Sequence, residues 1–303
     1  MIQVNYHRLL LGLATALVFV AGTTVPVGAA EDLREGMTIS PTERRYKVNP
    51  GDTITDSFQI LNDGQTAYNF TVYGAPYGVT DRAYNTVYEE SKPRSDAYRW
   101  AQFSQSNWHA EARETVTIPF TLRISENASP GGHYGVIFAE TQPAPSDSGI
   151  TRKKRLGMVL YVTVSGDVKT EGKATGLTIN SYQPVAPLRA SASIENTGNV
   201  DYQATSVFEV SDVFGGVKYR TAGTHTIFPA TTRDIEFTWD KSPWFGLYKV
   251  HAEVTVLGKR TVRDSYVVIA PNWLLFTALI AILIGGINAI RRRQTKQRRT
   301  KRS

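Results

Sequence analysis

Between residues 31 and 268 the chain alternates short apolar runs with turn-forming residues, and no long stretch repeats its apolar positions with the period of a helix. The runs are rich in β-branched and aromatic residues, and several alternate apolar with polar positions, as strands with one buried face do. They cover residues 57–61, 115–124, 135–140, 158–164, 190–195 and 248–256. Short strands separated by Gly, Pro, Asn and Asp are typical of β-sandwiches.

A weak internal repeat divides this region into two similar halves. Three groups of residues recur in the same order: Ile60, Asn62, Gly64 and Tyr68 as Ile194, Asn196, Gly198 and Tyr202; 118–121 as 235–238; and Gly132, Tyr134 and Val136 as Gly246, Tyr248 and Val250. The sequence therefore predicts an all-β fold of two tandem immunoglobulin-like β-sandwiches, over 31–168 and 169–268. The spacing between the groups is wider in the first half, which places extra material around 74–110.

Both ends of the chain carry membrane-targeting patterns. Residues 1–30 combine a charged start, an apolar stretch and small residues near Ala29, the pattern of a secretory signal peptide; a retained signal anchor is the alternative. Residues 271–290 are apolar over the length that a bilayer requires, and Trp273 stands at the interfacial position. The basic tail, 291–303, favours the cytoplasmic side. We therefore predict a single-pass cell-membrane protein with extracellular N-terminal domains and a cytoplasmic C-terminus.

The positive net charge of the chain comes from the basic tail, 291–303. The formal charge is +7, and the tail alone holds more positive charges than that. The basic excess therefore indicates membrane topology and anionic lipid, and it does not indicate nucleic acid as a partner. The chain has no cysteine, which excludes thiol catalysis, iron–sulfur clusters and cysteine zinc sites.

One glycine-rich segment, 129–138, invites two interpretations: a reactive site built around His133, or a turn before a strand. Its proline, glycine and tyrosine recur as Pro243, Gly246 and Tyr248, whereas the histidine does not recur. We therefore predict a structural turn, with His133 exposed to solvent. The ring of Tyr134 is expected to be buried, with its hydroxyl bonded to the backbone.

The sequence contains no local catalytic signature. Motifs of zinc proteases, serine hydrolases and nucleotide-binding loops are absent from it. The segments 62–64 and 196–198 resemble fragments of calcium loops, but they lack the alternating acidic spacing, so we predict turns. We expect no enzyme activity, no cofactor and no metal. Two carboxylates facing each other across a cleft, as in a glycosidase, stay open as an alternative because sequence alone does not locate such a pair.

Two stretches are candidates for recognition. The extra segment, 75–112, is rich in aromatic residues, which bury large areas at low entropic cost. Its ligand-binding candidates are Tyr84, Tyr88, Tyr98, Arg99, Trp100 and Trp108. The alternative is that Trp100, Phe103 and Trp108 close the first core. The loop 141–155 ends in four basic residues that suit an anionic polymer, or form a solvated loop tip: Arg152, Lys153, Lys154 and Arg155.

With these features in order, the first half resembles the WxL-interacting proteins of Gram-positive bacteria. The residues that carry the resemblance are 39–41, 49–53, Asn62, 117–121 and 130–132. The resemblance implies two immunoglobulin-like domains before a C-terminal span, with peptidoglycan binding in the first and contacts to host or partner proteins in the second. It implies no enzyme activity and no cofactor.

These observations lead to two functional hypotheses. The first is a membrane-anchored extracytoplasmic binding or adhesion protein that recognises cell-wall polymer (peptidoglycan) or another surface protein. The alternative is an extracytoplasmic assembly factor, a chaperone-like scaffold for a secreted partner protein, which uses strand addition. A direct signalling role is disfavoured because residues 291–303 have no room for an output domain.

Overall fold

The computed structural model describes residues 36–142 and 153–300. The proposed signal peptide and Arg152 lie outside the described residues. Within its described residues, the first part of the chain forms eleven strands and one short 3-10 helix, Ala97–Trp100. The strands are β1 Thr38–Ser40, β2 Glu43–Val48, β3 Thr53–Leu61, β4 Tyr68–Pro76, β5 Gly78–Val79, β6 Thr86–Val87, β7 Ala101–Phe103, β8 Asn107–Ala110, β9 Thr115–Arg123, β10 Gly131–Thr141 and β11 Arg155–Val164.

The second part, described as far as Thr300, forms eight strands and one long helix. The strands are β12 Gly172–Ile179, β13 Tyr182–Gln183, β14 Leu188–Asn196, β15 Tyr202–Asp212, β16 Val217–Ile227, β17 Thr231–Trp239, β18 Gly246–Val256 and β19 Lys259–Ile269. The helix, α1, runs over Asn272–Thr300. Its segment Asn272–Arg291 is long and apolar enough to cross a membrane, judged by length and composition.

Each part is a sandwich of two sheets with the same strand order. The first pairs a sheet β1-β3-β9-β7 with a sheet β2-β11-β10-β4-β8, and the second pairs β12-β14-β17 with β13-β19-β18-β15-β16. The contact of β2 with β11 is parallel, as is that of β13 with β19. The prediction of two tandem β-sandwiches is confirmed. In the described part of the second sandwich no strand corresponds to β7.

The extra material of the first sandwich lies between β4 and β9. It comprises the small ribbon β5–β6, the 3-10 helix and β7. We name residues 77–95, which precede the 3-10 helix, the brace. The brace leaves the first sandwich, contacts the second and returns.

Two separate cores follow from strand alternation. On β9 the side chains of Ile118, Phe120 and Leu122 are buried in the first sandwich. On the corresponding strand β17, Ile235, Phe237 and Trp239 are buried in the second. A third, smaller apolar cluster lies between the sandwiches, where its ring-to-ring contacts hold them together.

The repeated Asn-x-Gly segments form equivalent turns. The buried Asn62 side-chain amide donates to the carbonyls of Thr66 and Glu111, while its oxygen accepts from the Gly64 N–H. Asn196 makes the same type of contacts, to the carbonyls of Val200 and Ile227. Backbone groups that loops would otherwise leave unpaired are satisfied in this way.

The prediction that His133 is solvent-exposed was wrong. His133 is 3% exposed and lies within β10. Its Nδ1 lies 2.7 Å from Asp96 Oδ1, its Nε2 lies 2.8 Å from the Ser129 carbonyl oxygen, and its ring packs 4.9 Å from the ring of Trp100. The extra segment supplies both Asp96 and Trp100, so the material that lengthens the first sandwich also buries this histidine.

Candidate functional site

The tip of the brace pairs with an edge strand of the second sandwich. The Arg82 N–H donates to the Thr232 carbonyl at 2.7 Å, and the Asp234 N–H donates to the Arg82 carbonyl at 3.0 Å. The Arg82 guanidinium also lies 3.3 Å from the Asp234 carboxylate. One residue of the first sandwich therefore occupies the outer edge of β17.

Tyr84 fastens the brace to the second sandwich. Its hydroxyl accepts from the Phe228 N–H at 3.0 Å and bonds the Thr231 hydroxyl, and its ring lies under the Arg233 guanidinium at 4.7 Å. Burial raises the pKa of the Tyr84 hydroxyl, and the Thr231 contact opposes this, so the phenol stays protonated at neutral pH. This side chain was a ligand-binding candidate; its observed contacts are intramolecular.

A second set of contacts closes the junction between the sandwiches. Tyr134 is 2% exposed, and its hydroxyl donates to Asp201 Oδ1 and accepts from the Asp201 N–H, both at 3.0 Å. Burial and the neighbouring carboxylate raise the pKa of this hydroxyl. Asp201 also pairs at 2.7 Å with Arg45, whose guanidinium lies 3.9 Å from the centre of the Tyr161 ring. The predicted bond from Tyr134 to the backbone is present, and it crosses to the other sandwich.

The centre of the junction is the ring of Phe228. It contacts Tyr134 at 4.5 Å, and it lies about 6 Å from Tyr77, Tyr84 and Tyr161. Aromatic rings in edge-to-face and tilted pairs at these distances attract each other beyond the burial of area. The two sandwiches are therefore joined by an interdigitated, mostly buried interface.

Two further candidates from separate stretches meet on the outer face of the first sandwich. The ring of Tyr88 packs 5.0 Å from Phe138, and the Arg155 guanidinium lies 4.5 Å from Phe138 and 5.5 Å from Tyr88. Beside them Lys153 pairs with Glu140 at 3.2 Å. Lys154 forms backbone contacts with Thr141.

The remaining candidates are dispersed. Tyr98 bonds the Glu90 carboxylate, and the exposed Arg99 lies 3.4 Å from the same carboxylate. Trp100 is 7% exposed and belongs to the first core, as the alternative interpretation expected. The six aromatic-segment candidates therefore do not converge on one binding surface.

Trp108 borders a shallow, amide-rich depression of about 480 Å³ at the β4–β8 edge. Its indole N–H donates to the Gln105 carbonyl at 3.2 Å. The Asn107 side-chain oxygen lies within hydrogen-bond distance of Thr71 and Gln142. Amides beside an indole are a polar surface suited to hydroxyl-rich ligands.

The second sandwich has an open edge where the first has a strand. In the first, β7 pairs with β9 through Ala101 with Leu122, Gln102 with Thr121 and Phe103 with Phe120. The repeat aligns Phe120 with Phe237 of β17. Strand alternation directs the N–H and C=O groups of Glu236 and Thr238 outward, as it does those of Thr232 and Asp234. Arg82 pairs with Thr232 and Asp234, but the described residues supply no backbone partner for the outward groups of Glu236 and Thr238.

A groove of about 280 Å³ lies beside this edge, between β16 and β17. Its walls include Tyr219, Gly223 and His225 on β16, and Ile235 and Phe237 on β17. Burial, reinforced by the charge of Arg233, lowers the pKa of His225, so its ring is neutral at neutral pH. Apart from Glu236, the groove is lined by uncharged residues, and it lies beside free backbone groups. This combination suits an extended peptide segment.

The described residues contain no group of three His, Cys, Asp or Glu side chains arranged to hold a metal ion. The buried His133 has no free ring nitrogen, because both nitrogens face acceptors within the first sandwich.

Sequence reasoning missed the open edge of β17. The available signal was that residues 101–103 have no counterpart in the second half.

Comparison with family models and with curated proteins found no match. Among solved structures the chain is similar to the class 5 fimbrial chaperone CfaA, at 10% identity and TM-score 0.40, over 76% of this chain and 99% of that one. It is also similar to the YadV chaperone, at 13% identity and TM-score 0.42, over 76% and 99%. A chain of the CsuC–CsuE chaperone–tip complex from Acinetobacter baumannii matches at 12% identity and TM-score 0.40, over 76% and 98%. At TM-scores below 0.5 these likenesses do not indicate a shared ligand or activity.

Proposed function

We propose that this protein is a membrane-tethered extracytoplasmic scaffold that holds a secreted partner protein by strand addition to the second sandwich. The observation that carries the proposal is the open edge of β17 beside the groove between β16 and β17. In the first sandwich β7 pairs with the equivalent edge of β9. The chain itself therefore contains an example of a strand that binds this edge.

The pairing of β7 with β9 predicts which side chains a partner segment should carry. In β7 the residue opposite Phe120 is Phe103, whose ring packs against the first core. A segment that binds β17 therefore places a large apolar side chain opposite Phe237 and directs it into the groove. Backbone bonds to Glu236 and Thr238 supply affinity, while the alternate side chains supply specificity. Arg82 already covers β17 at Thr232–Asp234, which limits the segment to the stretch from Glu236 to Trp239.

The test is photo-cross-linking in cells that make the protein. A benzophenone side chain at Thr238 is expected to capture one dominant secreted protein through an extended segment with apolar alternate residues. The matched control is the same side chain at Thr121, the repeat equivalent, whose edge is covered by β7. Equal capture from both positions would contradict the proposal.

A backbone variant separates strand addition from general contact. Thr238→Pro removes one outward N–H and leaves the bonds to β14 in place, because proline is tolerated where the N–H faces away from the sheet. We expect this variant to lose at least ten-fold in partner affinity while amide protection within β14 is unchanged. Full affinity in a folded Thr238→Pro protein would rule out strand addition.

A second candidate function, recognition of cell-wall polymer, is favoured by the amide-rich depression beside Trp108. Its test is co-sedimentation of the full-length protein with purified peptidoglycan. Replacing Asn107 and Gln142 together by Ala should reduce pelleting, whereas Asn127→Ala, at an exposed loop position, should not. Unchanged pelleting of the double variant would exclude this depression as the contact surface.

A further inference from the structure

Four strongly exposed apolar side chains of the second sandwich lie at one end of it. Val185, in the loop from β13 to β14, is 69% exposed, and Phe214, at the tip of the β15–β16 hairpin, is 94% exposed. Trp244 and Phe245, between β17 and β18, are 61% and 54% exposed. We name these four residues the apolar rim. Single exposed apolar residues are ordinary, but three separate loops that present them at one end are not.

Strand register shows that the loops share this end. Gly246, at the start of β18, pairs with Ile269, the last residue of β19. Asp212, at the end of β15, pairs with Tyr248. Leu188, at the start of β14, pairs with Trp239, the last residue of β17. The contacts with the first sandwich lie at the opposite end, around Asn199 and Phe228.

The apolar helix leaves from the same end. Two residues separate the end of β19 from the start of α1 at Asn272. The joint is held to the sandwich by Tyr182, whose hydroxyl lies 2.8 Å from the Ala270 carbonyl and 2.6 Å from the Asn272 side-chain oxygen. A membrane crossed by α1 would therefore lie directly beneath the rim.

The hairpin that carries Phe214 is a preformed support. Asp212 Oδ1 accepts from the Phe214 N–H at 2.9 Å and from the Gly216 N–H at 2.8 Å, and the same carboxylate pairs with Lys218 at 2.8 Å. Gly215 has φ of +88°, a conformation that glycine adopts without strain. The turn thus holds the Phe214 ring outward without support from the core.

We propose that the apolar rim inserts into the interfacial layer of the lipid bilayer that α1 crosses, so that the second sandwich is seated on the membrane rather than swinging from the helix. The inference rests on the membrane span of the proposed function. Lipid is the occupant because the rim lies at the end of the sandwich from which the apolar helix starts. Trp and Phe side chains are suited to the headgroup–acyl boundary, into which such groups penetrate by roughly 5–10 Å.

The absence of cysteine makes a clean test possible. Full-length single-cysteine variants Val185→Cys, Phe214→Cys and Phe245→Cys are labelled with nitrobenzoxadiazole and placed in phosphatidylcholine–phosphatidylglycerol nanodiscs. Nitroxides on the lipid are expected to quench each label at least two-fold more than a label at Val262→Cys. Val262 is 42% exposed on β19, in the half nearer the first sandwich.

A label at Ile284→Cys, within the apolar helix, reports the span itself. Quenching at 284 without quenching at the rim would overturn the seating proposal and leave the span intact. Shielding of the rim labels that grows with protein density, without lipid quenching, would assign the rim to a second copy and also overturn it. Trp244→Ser combined with Phe245→Ser should at least halve the quenching at 214, whereas Val262→Ser should not.

Discussion

At the scale of single residues, one side-chain type performs the same task in both sandwiches. Asn62 and Asn196 are each buried at the start of a turn, and each bonds carbonyl oxygens that would otherwise lack donors. The sequence repeat predicted these turns, because the spacing from asparagine to glycine recurs. It could not show that the turns are buried, since burial depends on strands far away in the chain.

We expect Asn196→Ala to lower the free energy of unfolding by about 2–4 kcal/mol, because two buried carbonyls lose their donor at once. Denaturant unfolding followed by circular dichroism measures this loss. The control is Asn127→Ala, at an exposed position, for which a change within about 0.5 kcal/mol is expected. Equal losses for the two variants would show that the buried amide contributes no more than a surface one.

The Asp96–His133 pair gives a pH prediction. Burial on its own would raise the pKa of Asp96, but the hydrogen bond and charge of His133, with smaller contributions from a backbone hydrogen bond and the charge of Arg99, hold that pKa below its ordinary value. The folded state therefore gains stability from the ionised carboxylate above the unfolded pKa of about 3.9, and loses it as the pH falls through the folded pKa. In Asp96→Asn the free energy of unfolding should therefore fall less steeply as the pH is lowered.

Urea unfolding from pH 6 down to pH 2.5 tests this expectation. Asp167→Asn is the control, because Asp167 lies on the surface with its side chain 77% exposed. If the free energy of unfolding falls with pH equally steeply in Asp96→Asn and in the parent protein below pH 5, the Asp96–His133 pair is not a source of acid sensitivity.

At the scale of elements, the long strands were predictable and the extra segment only partly so. Alternation over residues 115–124 indicated β9, whose buried face is Ile118, Phe120 and Leu122. The break in the repeat located the extra material. Its strands β5 and β6 have two residues each, too short for a periodic signal, and the contact of Arg82 with Arg233 joins positions far apart in sequence. Some aromatic residues of the extra segment therefore form the junction between the sandwiches, so its aromatic content does not by itself indicate a recognition surface.

We expect Tyr84→Ala to separate the unfolding of the two sandwiches. The variant loses the hydroxyl contacts to Phe228 and Thr231 and the ring contact to Arg233, whereas both cores keep all their residues. Calorimetry should show one transition in the parent protein and two in the variant, because coupling depends on the junction. Tyr266→Ala, a 60% exposed ring on β19, should keep a single transition. Two transitions already in the parent protein would show that the brace does not couple the sandwiches.

At the scale of the whole molecule, the brace, the rim and the open edge lie in a fixed order. The Phe228 junction joins the first sandwich to the far end of the second, and α1 leaves from the near end. The open edge of β17 lies between these ends, so an anchored molecule would present it at a constant height above the bilayer. If the connections between the sandwiches and α1 were flexible, the height and orientation of this edge would vary.

This arrangement serves a secreted partner only if both sandwiches are outside the cell, which the basic residues after 290 favour. We expect Ser125→Cys, at an exposed loop of the first sandwich, to react with a membrane-impermeant maleimide on intact cells. Ser303→Cys, in the tail, should react only after the membrane is permeabilised. The chain has no other thiol to confuse the result. Reaction of Ser303→Cys on intact cells would place the tail outside and remove the strand-addition site from the compartment in which a secreted partner is met.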